Sequence, residues 1–291
     1  MLHIARPSRA LYAAPVWVLV AAAVLVQIVY PLVPAAGRTP VTILSVVVFA
    51  AAALADAVRV HGPRGGAVLL AVAGGGGWVA EVVGLHTGLP FGGYTYTGTL
   101  GPELLGVPLV VPLAWTMMAW PALAVGRALA RRPLTVAVTG GWALAAWDVF
   151  LDPQMVDAGY WRWADPHPAL PLVPGIPVSN YAGWLLVAML MTAALHRALP
   201  REVRTSGPAA ALYLWAYGSS VLAHLAFFAR PGSAVLGAVL MGLVALPFAR
   251  IASRDRHGSM GLVHPGDQGH PGPADARPTA SGCGTRHHGE G

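Results

Sequence analysis

The chain has 291 residues, 56% of them hydrophobic and only 10% charged, whereas a soluble domain carries about 25% charged residues. All 18 basic residues are arginine, which excludes a retinal Schiff base and any lysine-based covalent catalysis. The one cysteine, Cys283, excludes an intrachain disulfide and a cysteine cluster for zinc or iron–sulfur, and the basic balance reflects arginines between apolar runs rather than a nucleic-acid footprint.

Apolar blocks of about 18–24 residues are long enough to cross a bilayer of roughly 30 Å. Eight spans are expected, at 11–33, 41–60, 66–85, 107–130, 133–151, 180–199, 209–229 and 234–251. The first run is long and followed by many others, which argues against a cleaved signal peptide. Fifteen of the 18 arginines fall at the N-terminus, at the even-numbered connections and in the tail; Arg38, Arg162 and Arg230 fall on the other side. The positive-inside rule then places both termini in the cytoplasm of a multi-pass cell-membrane protein. The fold class is all-α: a polytopic membrane helix bundle over 1–251, with a disordered cytoplasmic tail over 252–291. The tail's histidines suit a metal or plain solvation, and its low-complexity composition favours solvation.

Ionisable residues inside spans are costly and are functional candidates by default. In chain order these are Asp56, Glu81, Asp148 and His224, with Asp152 at the end of the fifth span. Asp56 lies near the cytoplasmic end, three residues before Arg59, and reads as a local ion pair. Glu81, Asp148, Asp152 and His224 all fall toward the opposite face. Asp148 and Asp152, in "AAWDVFLDP", are four apart and share a helical face. Asp152 precedes Pro153, which is expected to stop the helix. For His224, a hydrogen bond to a neighbouring helix is the leading expectation and contact with a substrate the alternative. The glycine run in "AGGGGW" (73–78) lacks the features of a phosphate loop; close helix packing or approach of a flat ligand would explain it.

Two long connections lie on the side where the acids gather. The first carries Phe91, Tyr94 and Tyr96. The second carries Tyr160, Trp161 and Trp163, in an aromatic-belt pattern, and its prolines favour a fixed, extended path. Ser179 or Asn180 is expected to cap the sixth span. This asymmetry suggests a site at the outer interface, roofed by the two loops.

Three blocks, "EVVGLHTGLPFGGYTYTGTLGPELLGVPLVVPLAWTMMAWPALA" (81–124), "WALAAWDVFLDPQMVDAGYWRW" (142–163) and "GIPVSNYAGWLLVAML" (175–190), closely resemble the carotenoid biosynthesis membrane-protein family. Its characterised members hydrate carotenoid end groups. The resemblance implies cofactor-free addition of water to the terminal C=C of an acyclic ψ end group, giving a tertiary alcohol. The implied partners are a carotenoid (lycopene-, γ-carotene- or bacterioruberin-precursor-like) and the lipid bilayer, with no metal and no nucleic acid. Glu81, Asp148, Asp152 and Asn180 are the polar members of the matching blocks.

Hydrating such an alkene needs an acid, a held water and stabilisation of a tertiary cation. A carboxyl group in an apolar site can stay protonated near neutral pH, and a second carboxylate can deprotonate the attacking water. The expected catalytic set is Asp148 as acid with Glu81 or Asp152 as base, the reverse assignment using the same residues. Trp115 and Trp147 offer aromatic faces to the cation; Phe91, Tyr94, Asn180 and His224 complete the expected substrate contacts. A proton-coupled transporter and a non-catalytic carotenoid-binding protein are the rival readings. Desaturase histidine boxes are absent.

Overall fold

The computed structural model describes residues 13–202 and 205–260. Helix α1 spans Ala13–Val29 and α2 Arg38–His61. Helices α3 (Pro63–Leu69) and α4 (Gly76–Thr87) are joined by a π-helical turn, Leu70–Gly75. Then follow α5 (Val110–Leu129), α6 (Pro133–Asp157), α7 (Val178–Ala198), α8 (Gly207–Ala226) and α9 (Pro231–Met260). With α3, the π turn and α4 taken as one rod, eight rods form a polytopic membrane bundle. Among the described residues, six are long and apolar enough to cross a membrane, by length and composition. The other two, α5 and α8, are 20 residues each. Helix α5 is the central pillar, buried at every residue from Trp115 to Leu123, as befits a helix apolar on all sides.

Local sequence sets the helix ends. Pro63, Pro133 and Pro231 open α3, α6 and α9, where the missing N–H has no intrahelical partner to lose and φ is preset. Gly88 ends α4 with φ 75°, a left-handed cap that a Cβ would resist. The π turn falls where the glycine run begins, because glycine holds the α ladder weakly. A Cβ at Gly77 would lie 2.5 Å from Trp115 Cγ, and one at Gly74 3.0 Å from Thr116 Oγ1. Helix packing therefore accounts for these two glycines, while Gly75 and Gly76 face open space. A Cβ at Gly141 would likewise lie 2.5 Å from Met189 Cγ, so α6 and α7 pack closely.

Three expectations need correction. Helix α6 does not stop at Pro153 but runs to Asp157; the backbone group freed by a proline is tolerated inside a packed bundle. Neither Ser179 nor Asn180 caps α7: its N-cap is Pro177, with no side-chain cap. The Asn180 amide is instead committed to α6. Finally, α9 continues to Met260, past the expected tail boundary at 252, since no proline interrupts it there. The tail from 261 and the N-terminal arginines lie outside the described residues.

The two long connections meet. Strand β1 (Tyr94–Tyr96) pairs antiparallel with β4 (Trp161–Trp163), in the register Tyr94↔Trp163, Thr95↔Arg162, Tyr96↔Trp161. Because strand side chains alternate, Tyr94, Tyr96, Trp161 and Trp163 turn inward while Thr95 and Arg162 are exposed. Two short hairpins, β2 (Glu103–Leu104) with β3 (Val107–Pro108) and β5 (Ala169–Leu170) with β6 (Val173–Pro177), complete this end. The Tyr160 hydroxyl lies 3.1 Å from Thr42 Oγ1 and donates to Thr39 Oγ1 at 3.2 Å, tying the roof to α2.

Candidate functional site

Helix α4 presents Gly77, Glu81 and Gly84 at the i, i+4, i+7 spacing of one face. Gly77 admits the Trp115 ring, whose Nε1 donates to Glu81 Oε1 at 3.0 Å. Gly84 admits Phe91; a Cβ there would lie 2.5 Å from Phe91 Cδ2. From the roof, Tyr94 and Tyr96 donate their hydroxyls to Glu81 Oε2 at 2.5 and 2.8 Å. Glu81 thus accepts from three neutral donors, the complement an ionised carboxylate takes. Burial first, and the charge of Glu81 second, hold both tyrosine hydroxyls above the usual phenol range, so they remain donors.

Helix α6 presents Asp148 and Asp152, 0% and 2% exposed. Asn180 Nδ2, from α7, donates to Asp148 Oδ2 at 2.9 Å and also to Asp152 Oδ2. Trp161 Nε1 donates to Asp152 Oδ1 at 3.1 Å. Asp148 Oδ1 is buried, with no hydrogen-bond partner among the described residues. The two aspartates adjoin each other, and no arginine or histidine reaches either of them among the described residues.

Glu81, Asp152 and Asn180 meet on the wall of one small cavity. The rest of its lining is aromatic and aliphatic apart from Thr42. Trp115 and Trp184 stack at 4.0 Å and 14° to form one side. Phe91, Tyr94, Tyr96, Trp161 and Trp163 form the roof. Asp148 lies behind this wall, reaching it through Asn180 and Asp152.

The structure therefore brings together Glu81, Asp148, Asp152, Asn180, Trp115, Phe91 and Tyr94. Two candidates lie elsewhere. His224 sits beyond α6, its Nδ1 2.7 Å from Ser233 Oγ of α9 and its ring against Phe150 and Phe228. Trp147 makes an edge contact with Trp184 but lines a second cavity. Trp184, and the donor roles of Tyr96 and Trp161, were not foreseen. The spacing Tyr94-x-Tyr96 opposite Trp161-x-Trp163 is the signal that carries them, once read as two facing strands. Among the described residues, no three His, Cys, Asp or Glu side chains gather into a metal-binding set.

Comparison with known proteins bears on the family. A bisanhydrobacterioruberin hydratase from Haloarcula japonica is 36% identical over 120 residues, a stretch that covers 38% of this chain and 39% of that protein. No solved structure matches the chain. The family model described as "Carotenoid biosynthesis protein" matches residues 38–246, which include every residue of the site. The chain belongs to this family of carotenoid biosynthesis proteins.

Proposed function

We propose that the chain is a hydro-lyase that adds water, without a cofactor, to the terminal C=C of an acyclic carotenoid ψ end group. The observation that carries this reading is that Glu81 and Asp152 share one largely apolar cavity wall, with no cation beside either among the described residues. The largely apolar lining suits an apolar end group, and two carboxyl groups in different surroundings divide acid from base. The name of the Haloarcula japonica relative points the same way.

Asp148 and Asp152 share one proton, because two adjoining buried carboxylates without a counterion cannot both stay ionised. Asp152, at the cavity wall, gives that proton to the less substituted alkene carbon. A tertiary cation forms at the neighbouring carbon, faced by the Trp115–Trp184 stack and by the Glu81 carboxylate. Water attacks the cation, and its surplus proton passes to Glu81. Return of that proton to the aspartate pair restores the site, so one water is consumed and no redox change occurs. Asp148 is the positioning partner that holds the shared proton, and Asn180 fixes both carboxyl groups. This assignment moves the donor role from Asp148 to Asp152, because Asp152 lines the cavity. The arginine distribution supports an extracytoplasmic site with both termini in the cytoplasm.

The test is expression in cells making lycopene and, separately, γ-carotene, followed by chromatography with mass spectrometry. A pigment heavier by one water with an unchanged chromophore is expected. Bound but chemically unchanged pigment would instead favour a binding protein.

A further inference from the structure

A second cavity adjoins the first, with α2 and α6 side chains between them. Four side chains, Thr42, Val46, Leu151 and Met155, line both cavities, so the partition between them is one side chain thick. The second cavity goes deeper into the bundle. Its floor is made by Phe49, Met117, Met118, Trp147 and Phe150, and its far wall by α8 at Ala216 and Ala223. The rest of the lining mixes Tyr30, Pro31 and Phe228 with the uncharged polar side chains of Gln27, Ser45, Gln154, Ser219 and Ser220, and among the described residues no aspartate, glutamate, arginine or histidine lines it. Nothing in the proposed reaction uses this space.

We infer that the second cavity holds the polyene body of the substrate, which passes between α2 and α6 while its end group occupies the carboxylate cavity. This rests on the hydration reading above for the identity of the ligand. The paired strands cover the first cavity above, and the Trp115–Trp184 stack and the Gly77–Trp115 contact wall its sides. An end group seated there must trail its chain somewhere apolar. The four shared side chains place the second cavity directly beside that end group. Flexible methionines at 117, 118 and 155 suit an elongated hydrocarbon, since a thioether side chain adapts to irregular apolar shapes.

The experiment fills the cavity from α8 with Ala216→Phe and, independently, Ala223→Phe. Detergent-purified wild type and variants are tested for lycopene retention, lycopene hydration, and hydration of myrcene, a short terpene with the same terminal alkene and almost no chain. Both variants are expected to lose about ten-fold in lycopene retention and hydration, a ratio readily resolved, with myrcene hydration as in wild type. Unchanged lycopene retention in both variants overturns the inference, and so does a parallel loss of myrcene and lycopene hydration. If the wild type hydrates neither substrate but loses lycopene retention on cavity filling, the hydration reading falls and the polyene site stands.

Discussion

Both ends of the bundle bury carboxylates beside tryptophans, yet the two ends are built differently. At the arginine-rich end, Asp56 is fully buried and accepts from Arg59 Nε and Nη2 at 2.9 and 2.7 Å, from Trp120 Nε1 at 2.9 Å and from Ser206 Oγ at 2.5 Å. Nearby, Arg127 donates to both oxygens of Glu202 and to the carbonyls of Leu199 and Pro200. Arg201 takes the carbonyls of Arg127, Ala130 and Arg131 at the end of α5, groups that a helix terminus leaves without partners. Asp56 and Glu202 each have a cation, and the network latches α2, α5, α7 and the chain leading into α8. At the other end, Glu81, Asp148 and Asp152 have neutral donors only, and two of the three face a cavity. A buried acid with its counterion is a structural tie; a buried acid without one, beside an apolar cavity, keeps its proton chemistry available.

The contrast can be broken by substitution, and the largest effect should come from Asp152. Asp152→Asn keeps the shape of the group and removes its proton, so hydration of lycopene is expected to fall about 10²–10⁴-fold, the usual range for a general acid. The water adduct is measured in membranes that contain normal amounts of the protein; unchanged turnover would remove Asp152 as donor. Next come Glu81→Gln and Asp148→Asn, each expected to cost about 10²-fold, the lower end of that range. Turnover above that of Asp152→Asn in Asp148→Asn is the signature of a group acting through another. If Asp148→Asn is the more damaging, the donor role returns to Asp148.

Smaller losses sharpen the picture. Trp161→Phe removes one donor to Asp152, and Tyr94→Phe one donor to Glu81. A hydrogen bond to a charged group is worth about 1.5–3 kcal/mol, so roughly ten-fold or more in turnover is expected from each, with the protein still inserted. No change in either variant would show that the roof merely covers the site. The least change in turnover is expected for Asp56→Asn, where turnover stays within about two-fold while stability in detergent drops by about 1–3 kcal/mol, the cost of leaving buried partners unsatisfied. Thermal unfolding alongside turnover checks both halves. Loss of chemistry without loss of stability in Asp56→Asn would erase the distinction between the two ends.

The amino-acid sequence by itself determined the membrane class, the order of the rods and the level of the acids. Those features follow from local quantities: the length of apolar runs, the placement of arginine, and the four-residue spacing of Asp148 and Asp152. The ion pair of Asp56 with Arg59 was legible for the same reason, being three residues apart on one helix. What lay across the bundle was not legible. Asn180 resembled a helix cap because its neighbours in sequence include a helix start; its true partners are 28 and 32 residues away. Pro153 resembled a stop, yet packing against other helices carried α6 through it. His224 had the right depth but lies on the far side of α6, since depth fixes only one coordinate of three. Tertiary structure alone decided which acids share a cavity, which one stands behind another, and which lack a cation, because each depends on how helices rotate and meet rather than on where residues fall along the chain.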